Sequence, residues 1–175
     1  MLRRKIEVVK YDEKWPKLFE EETLLIKDIF SDELLEIHHI GSTSVPGLKA
    51  KPVIDIMPVV KDIEKVDKYN EKMKKIGYEP KGEYGIEGRR FFMKGGEDRS
   101  HNVHIFQYDN KEAVERHIVV RDYLRNHEDA VEEYAEIKTK GAEKHPNDIN
   151  DYCDYKDKFV KELEKKSLEW VKKIK

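Results

Sequence analysis

The stretch His39-Ile40-Gly41-Ser42-Thr43-Ser44-Val45-Pro46-Gly47-Leu48-Lys49-Ala50-Lys51-Pro52-Val53-Ile54-Asp55-Ile56 sets a turn of small residues and two lysines between two apolar runs that read as strands. Gly41 and Gly47 allow positive φ or close backbone approach, and Ser42, Thr43 and Ser44 add hydroxyls beside main-chain N–H groups. Such a turn suits phosphate, with Lys51 supplying counter-charge just ahead of the second run. The plainer alternative is that the hydroxyls satisfy local backbone groups. Asp55 lies inside the second run, Val53 to Val60, where a lone carboxylate is costly to bury unless a metal ion or hydrogen-bond donors compensate it.

Outward from this stretch, Leu34 to Ile40 reads as the strand entering the turn, and Pro58 marks the strand leaving it as an edge or near its end. Upstream, Ile6 to Val9 suggests a short edge strand. Trp15, Leu18, Phe19, Leu25, Ile26, Ile29 and Phe30 recur at helical spacing, with Pro16 in the first turn. Downstream, Ile63, Val66, Tyr69, Met73 and Ile76 form a helical face capped by Gly77. Two strands follow, Tyr84 to Lys94 and Val103 to Tyr108, joined by the polar loop from Gly95 to Ser100. Beyond Asn110 the pattern is helical. One helix carries Ala113, Val114, His117, Ile118, Arg121 and Leu124. The next carries Ala130, Val131, Tyr134, Ile137 and Lys138 and ends at Gly141. A last helix starts at Pro146-Asn147 and packs Tyr152, Tyr155, Phe159, Leu163 and Trp170.

The order strand, Gly-Ser turn, strand bearing Asp resembles the nucleotidyltransferase superfamily. The fuller string from His39 to Leu48, with Ala50-Lys51-Pro52 and Ile54-Asp55-Ile56, is similar to the GrpB family, a nucleotidyltransferase-like group. The likeness continues through Gly77-Tyr78, Phe91-Phe92, His104-Ile105-Phe106, Arg121-Asp122-Tyr123-Leu124-Arg125, Tyr134-Ala135 with Lys138, and Tyr152 with Lys156, nearly the whole chain. It implies an α+β fold, a nucleotidyltransferase-like mixed β-sheet packed with helices and followed by a C-terminal helical segment. One domain would span residues 1–175, sheet-rich over 1–110 and helical over 111–175. It also implies binding of a nucleotide or phosphorylated small molecule, nucleotidyl transfer, and a divalent metal, Mg²⁺ or Mn²⁺ ahead of Zn²⁺.

In polymerase-like transfer, carboxylates two residues apart on a strand share a face and hold two divalent ions. The position paired with Asp55 is Met57, whose thioether is a poor ligand for a hard cation. This departure opens a second reading, a non-catalytic phosphate-ligand or accessory module. Because relatives of the family occur fused to dephospho-coenzyme A kinase, the resemblance permits a role near coenzyme A metabolism. A third reading uses His104 with Asp55 as a metal-dependent hydrolase. His104 sits in an apolar strand where the superfamily often places a third carboxylate. The pair is compatible with metal ligation, an acid-base couple or a simple hydrogen bond.

Arg121 and Arg125, four apart on a helix, share a face and form a pair able to grip phosphate or to meet acidic helices in salt bridges. His39 either points into the site or donates to a neighbouring carbonyl. Arg89 and Arg90 alternate, so one faces the cleft, and Phe91 and Phe92 read as core and face-covering residues. Lys138 and Lys156 either snorkel from helix faces toward the sheet or, the plainer reading, are solvated helix ends.

Composition limits the remaining classes. There are 35 basic and 37 acidic residues, a net charge of −2, so no global field favours nucleic acid. The basic start from Met1 to Lys5 leads into only four residues that could be called apolar, too few for a secretory segment. The chain has no apolar run long enough to span a membrane, and Cys153 has no partner for a disulfide. A cytoplasmic setting is the expectation. The sequence leaves the oligomeric state open.

Overall fold

The computed structural model describes residues 5–175; the basic start over Met1 to Arg4 lies outside them. Pro16 occupies the first turn of helix α1 (Trp15–Phe30), where its missing N–H disturbs no helical bond. Strands β1 (Leu34–Ile40) and β2 (Ile54–Val60) run antiparallel on either side of the 41–53 connection, with Ile40 opposite Asp55. A 3₁₀ segment (Ile63–Tyr69) then leads into helix α2 (Asn70–Lys75), whose end turns at Gly77 with φ 98°. The remaining strands are β3 (Tyr78–Pro80), β4 (Arg89–Lys94) and β5 (His101–Gln107). Helices α3 (Lys111–Arg125), α4 (Glu128–Lys144) and α5 (Ile149–Ile174) complete the described residues.

The strands form one mixed sheet in the order β1-β2-β5-β4-β3, parallel between β2 and β5 and antiparallel elsewhere. Alternation along β2 sorts its residues to two faces. Ile54, Ile56 and Val60 pack with Val103 and Ile105 beneath Trp15, Ile26, Ile29 and Phe30 of α1. Met57 and Val59 face the other way, against Ile40, Phe106 and Val114 of α3. A third apolar cluster joins Leu124, Ala130, Val131, Tyr134 and Leu163 of the last three helices to Val45 and Leu48, both fully buried. Those two turn residues anchor the 41–53 connection to the helical layer and hold it in place over the end of β2.

Several local expectations change. Ile6 to Val9 contributes one isolated bridge, Val9 to Ala50, rather than a strand. Pro58 lies in an interior strand; its lack of an N–H is tolerated because the registered partners on β5 skip Met57 and Pro58. Residues 84–88 form turns rather than strand, and Glu83 Oε2 accepts from the Gly88 N–H at 2.6 Å. Gly141 does not end α4. A Cβ there would stand 2.9 Å from Tyr155 Cδ1 and 3.3 Å from Tyr152 Cδ2, so α5 packs closely on α4 at this position.

Candidate functional site

The turn is held from three directions. Within it, Ser44 Oγ donates to the Gly41 carbonyl at 2.5 Å, and the N–H groups of Ser44 and Val45 donate to the carbonyls of Gly41 and Ser42. From β1, His39 Nε2 shares a 2.9 Å hydrogen bond with Thr43 Oγ1, while its ring stacks on Phe19 at 4.8 Å. From α3, Arg125 donates twice to the Ser44 carbonyl, at 3.0 and 2.8 Å, and Arg121 donates to the His39 carbonyl at 3.3 Å and to Asp122 at 3.0 Å.

Gly41 is where the turn meets the carboxylate. Its φ of 73° favours glycine, and a Cβ there would lie 2.8 Å from Asp55 Oδ2. The other oxygen, Oδ1, accepts from His104 Nε2 at 2.9 Å. His104 Nδ1 in turn faces Arg89 Nη1 at 3.4 Å. A guanidinium only donates, so Nδ1 is the acceptor, Nε2 carries the hydrogen, and both ring nitrogens are engaged. Burial would raise the Asp55 pKa, but His104, Lys51 and a hydrogen bond from Asn102 outweigh it and hold the carboxyl below its ordinary value.

Ser42, Thr43, Lys51 and Asp55 open into one cavity of about 430 Å³, floored by Tyr152 and walled by Asn102, Lys138 and Lys156. Lys138 is 3% exposed; it donates to Ser42 Oγ and lies 4.3 Å from the Tyr134 ring centre. Lys51 and Lys156 both approach the Tyr152 ring, at 5.4 and 4.8 Å. Among the described residues none of these three amines is ion-paired with a carboxylate. Desolvation, and then the neighbouring lysines, push Lys138 well below the ordinary amine value and lower Lys156 as well.

Of the residues singled out from sequence, Gly41, Ser42, Thr43, Lys51 and Asp55 converge, and His104 joins through Asp55. Ser44 turns inward to its own turn. Arg121 and Arg125 stand outside the cavity lining, because their N–H groups are directed to backbone carbonyls that fix the turn. Of the two readings open for them, phosphate grip or salt bridges, Arg121 pairs with Asp122, and both arginines clamp the loop. His39 meets a hydroxyl rather than a carbonyl. Arg89, not Arg90, faces the Asp55 side; Arg90 pairs with Asp67 at 2.9 Å. Lys138 and Lys156 are not solvated helix ends but cavity walls. The signal for Lys138 was its place on the same stripe as Ala130, Val131 and Tyr134, and for Lys156 its i+4 relation to Tyr152.

The donor set does not fit a two-ion centre. Met57 is fully buried in the apolar cluster below α3, and His104 has a guanidinium at one ring nitrogen and Asp55 at the other. Among the described residues no three His, Cys, Asp or Glu side chains come together to hold a metal ion. No described helix is long and apolar enough to cross a membrane.

Comparison with known proteins agrees with this architecture. UPF0157 protein YqkA of Bacillus subtilis is 47% identical over 97% of this chain, which spans 49% of that protein's length. The glutamate-rich protein GrpB of Alkalihalophilus pseudofirmus is 34% identical, over 89% of this chain and 92% of that protein. The crystal structure of GrpB from Enterococcus faecalis superposes with a TM-score of 0.92 at 42% identity, covering 94% of this chain and 99% of that one. The Cid1 poly(U) polymerase superposes with a TM-score of 0.52 at 14% identity, over 77% of this chain and 42% of Cid1, so the two share a nucleotidyltransferase-like fold. The GrpB family model matches residues 5–166, and the chain belongs to the GrpB family.

Proposed function

We propose that the protein binds a nucleotide or another phosphorylated small molecule in the cavity between the 41–53 connection and helices α4 and α5. The observation that carries this reading is the set of three lysines, unpaired with carboxylate, that line one cavity, Lys138 on the hydroxyl of Ser42 and Lys51 and Lys156 over the Tyr152 ring. Like charges brought together at partly buried positions repel and lose solvation, an arrangement a fold tolerates where an anion completes it. Ser42 and Lys138 reach the ligand from the turn and from α4, and Lys51 and Lys156 flank it, their amines lying over the buried Tyr152 ring. Asp55 sets the far wall, oriented by His104. Arg121 and Arg125 serve the site by fixing the turn.

The match to a dephospho-CoA kinase of Mycolicibacterium paratuberculosis, 22% identical over 97% of this chain and 47% of that protein, favours a second reading. There the module holds a coenzyme A precursor for a partner enzyme, and the packed thioether of Met57 suits a role without transfer chemistry. Isothermal titration with nucleoside triphosphates, dephospho-coenzyme A and pyrophosphate addresses both readings. Saturable binding that Lys156→Met weakens about tenfold or more supports a phosphate site. Absence of binding by any of these compounds removes it, and a marked preference for dephospho-coenzyme A selects the second.

A further inference from the structure

Nucleotidyl transfer as the fold's distant neighbours practise it relies on acidic side chains that bring cations to the phosphates. In this chain Asp55 is present, but the position paired with it two residues on is Met57, and the neighbouring strand carries His104. Met57, in register with His38 of β1, is sealed among Ile40, Val59, Phe106 and Val114 and cannot be replaced by a carboxylate without opening that core. His104 directs Nε2 at Asp55 and presents Nδ1 to a guanidinium, whose charge opposes a metal ion beside it. Asp55 itself has one oxygen on His104 and the other hard against Gly41. Positive charge comes instead from Lys51, Lys138 and Lys156, contributed by the turn, by α4 and by α5, with Lys5 and Arg99 also on the lining.

Resting on the phosphate site proposed above, we infer that this site takes its ligand as a metal-free polyphosphate anion, with Lys51, Lys138 and Lys156 in the place of divalent cations. The lining carries Lys5, Lys51, Arg99, Lys138 and Lys156 against Glu7, Asp55 and Glu97, an excess of positive charge that suits a ligand with at least two phosphoryl groups. A single phosphoryl group cannot engage amines that arrive from three separate elements as fully as a diphosphate can. A cation already bound to the ligand would bring further positive charge into a cavity that has too much of it. Asp55 then acts as a negative wall that offsets the lysines' mutual repulsion and packs against the turn at Gly41, not as a metal ligand.

Titration of the folded protein with ATP, ADP, AMP and pyrophosphate, each in excess EDTA and again in saturating Mg²⁺ or Mn²⁺, tests this. The expected result is binding in EDTA that is equal to or tighter than binding with metal, and at least tenfold tighter for pyrophosphate and ADP than for AMP. Asp55→Asn, with folding checked by circular dichroism, is expected to keep the parent's ratio of affinity in EDTA to affinity in Mg²⁺, since Asp55 is not a metal ligand. Lys138→Met and Lys156→Met are each expected to weaken it about tenfold or more. Binding that needs Mg²⁺ or Mn²⁺ and is abolished in Asp55→Asn overturns the inference while leaving the phosphate site standing. Lysine variants that bind like the parent also overturn it. No binding under any condition removes both this inference and the site on which it rests.

Discussion

Gly41 lies against Asp55 so closely that a single added methyl group would fall 2.8 Å from the carboxylate oxygen and 3.3 Å from Cβ and Cγ. The same residue adopts φ 73°, where an L side chain is strained. Gly41→Ala therefore has two penalties at one position, and the loop cannot relieve them freely because Val45 and Leu48 pin it to the helices. We expect a loss of about 2–3 kcal/mol. For a chain of this length that is a fall in Tm of roughly 5–10 °C by calorimetry. A variant as stable as the parent would show that the turn and Asp55 do not meet as described.

Arginines and lysines around the turn have opposite relationships to stability. Arg125 makes two hydrogen bonds to one carbonyl, so Arg125→Ala is expected to cost about 2 kcal/mol in urea unfolding. Lys138 is a desolvated amine with two lysines near it, so Lys138→Met is expected to leave stability unchanged or raise it by up to about 2 kcal/mol. Strong destabilisation by Lys138→Met would assign that lysine a structural rather than a ligand-binding role.

Two histidines give the fold an acid sensitivity. Burial lowers His39 to about 4, reinforced by Arg125 and Arg121 and opposed by Asp55. Burial likewise lowers His117 to about 4, against its Nδ1–H bond to the Ala113 carbonyl. Between about pH 6.5 and 4 the unfolded chain binds protons that the folded chain does not, so stability is complete above pH 6.5 and falls as the pH drops through this window. Each histidine contributes about 1.4 kcal/mol per pH unit at most. Asp55, lowered in the folded state, adds a further loss at more acid pH, as its carboxyl becomes protonated. Urea midpoints measured from pH 8 to pH 4 should decline below pH 6.5, and less steeply in His117→Gln; a flat profile would contradict the burial of both rings.

The Asp55–His104–Arg89 series fixes one tautomer of His104. Nitrogen-15 NMR of the imidazole should report the hydrogen on Nε2 and an unprotonated, hydrogen-bonded Nδ1. Arg89→Met should shift the Nδ1 resonance while the fold persists. A hydrogen on Nδ1 in the parent protein would mean that His104 does not donate to Asp55.

Much of the architecture was legible in sequence because apolar spacing controls it. The strand from Leu34 to Ile40 and the helices starting at Trp15 and after Asn110 follow directly from period-2 and period-3.6 patterns. The mixed sheet followed from the resemblance and from the hairpin between Lys94 and His101. What escaped was decided by tertiary contact. Gly141 looks like a helix stop, yet it is where two tyrosines of α5 press against α4. Pro58 looks like an edge residue, yet a gap in the β5 ladder accommodates it. Strand β3, only three residues long, is too short for a pattern. At the site, the glycine and hydroxyl turn and Asp55 could be read because they are contiguous. The arginine clamp could not, since a guanidinium four residues from another looks the same whether it faces phosphate or a carbonyl. Lys138 carried a mixed signal, a long cation on an apolar stripe, and only the approach of α5 turned it into a cavity wall.

The most direct measurement is a titration of nitrogen-15-labelled protein with pyrophosphate followed by amide chemical shifts. We expect saturable shifts concentrated at Ser42, Thr43, Lys51, Asp55, Tyr152 and Lys156, with the sheet beyond β5 unmoved. Shifts at a different surface, or none at millimolar pyrophosphate, would contradict a phosphate site formed by the turn and the three lysines.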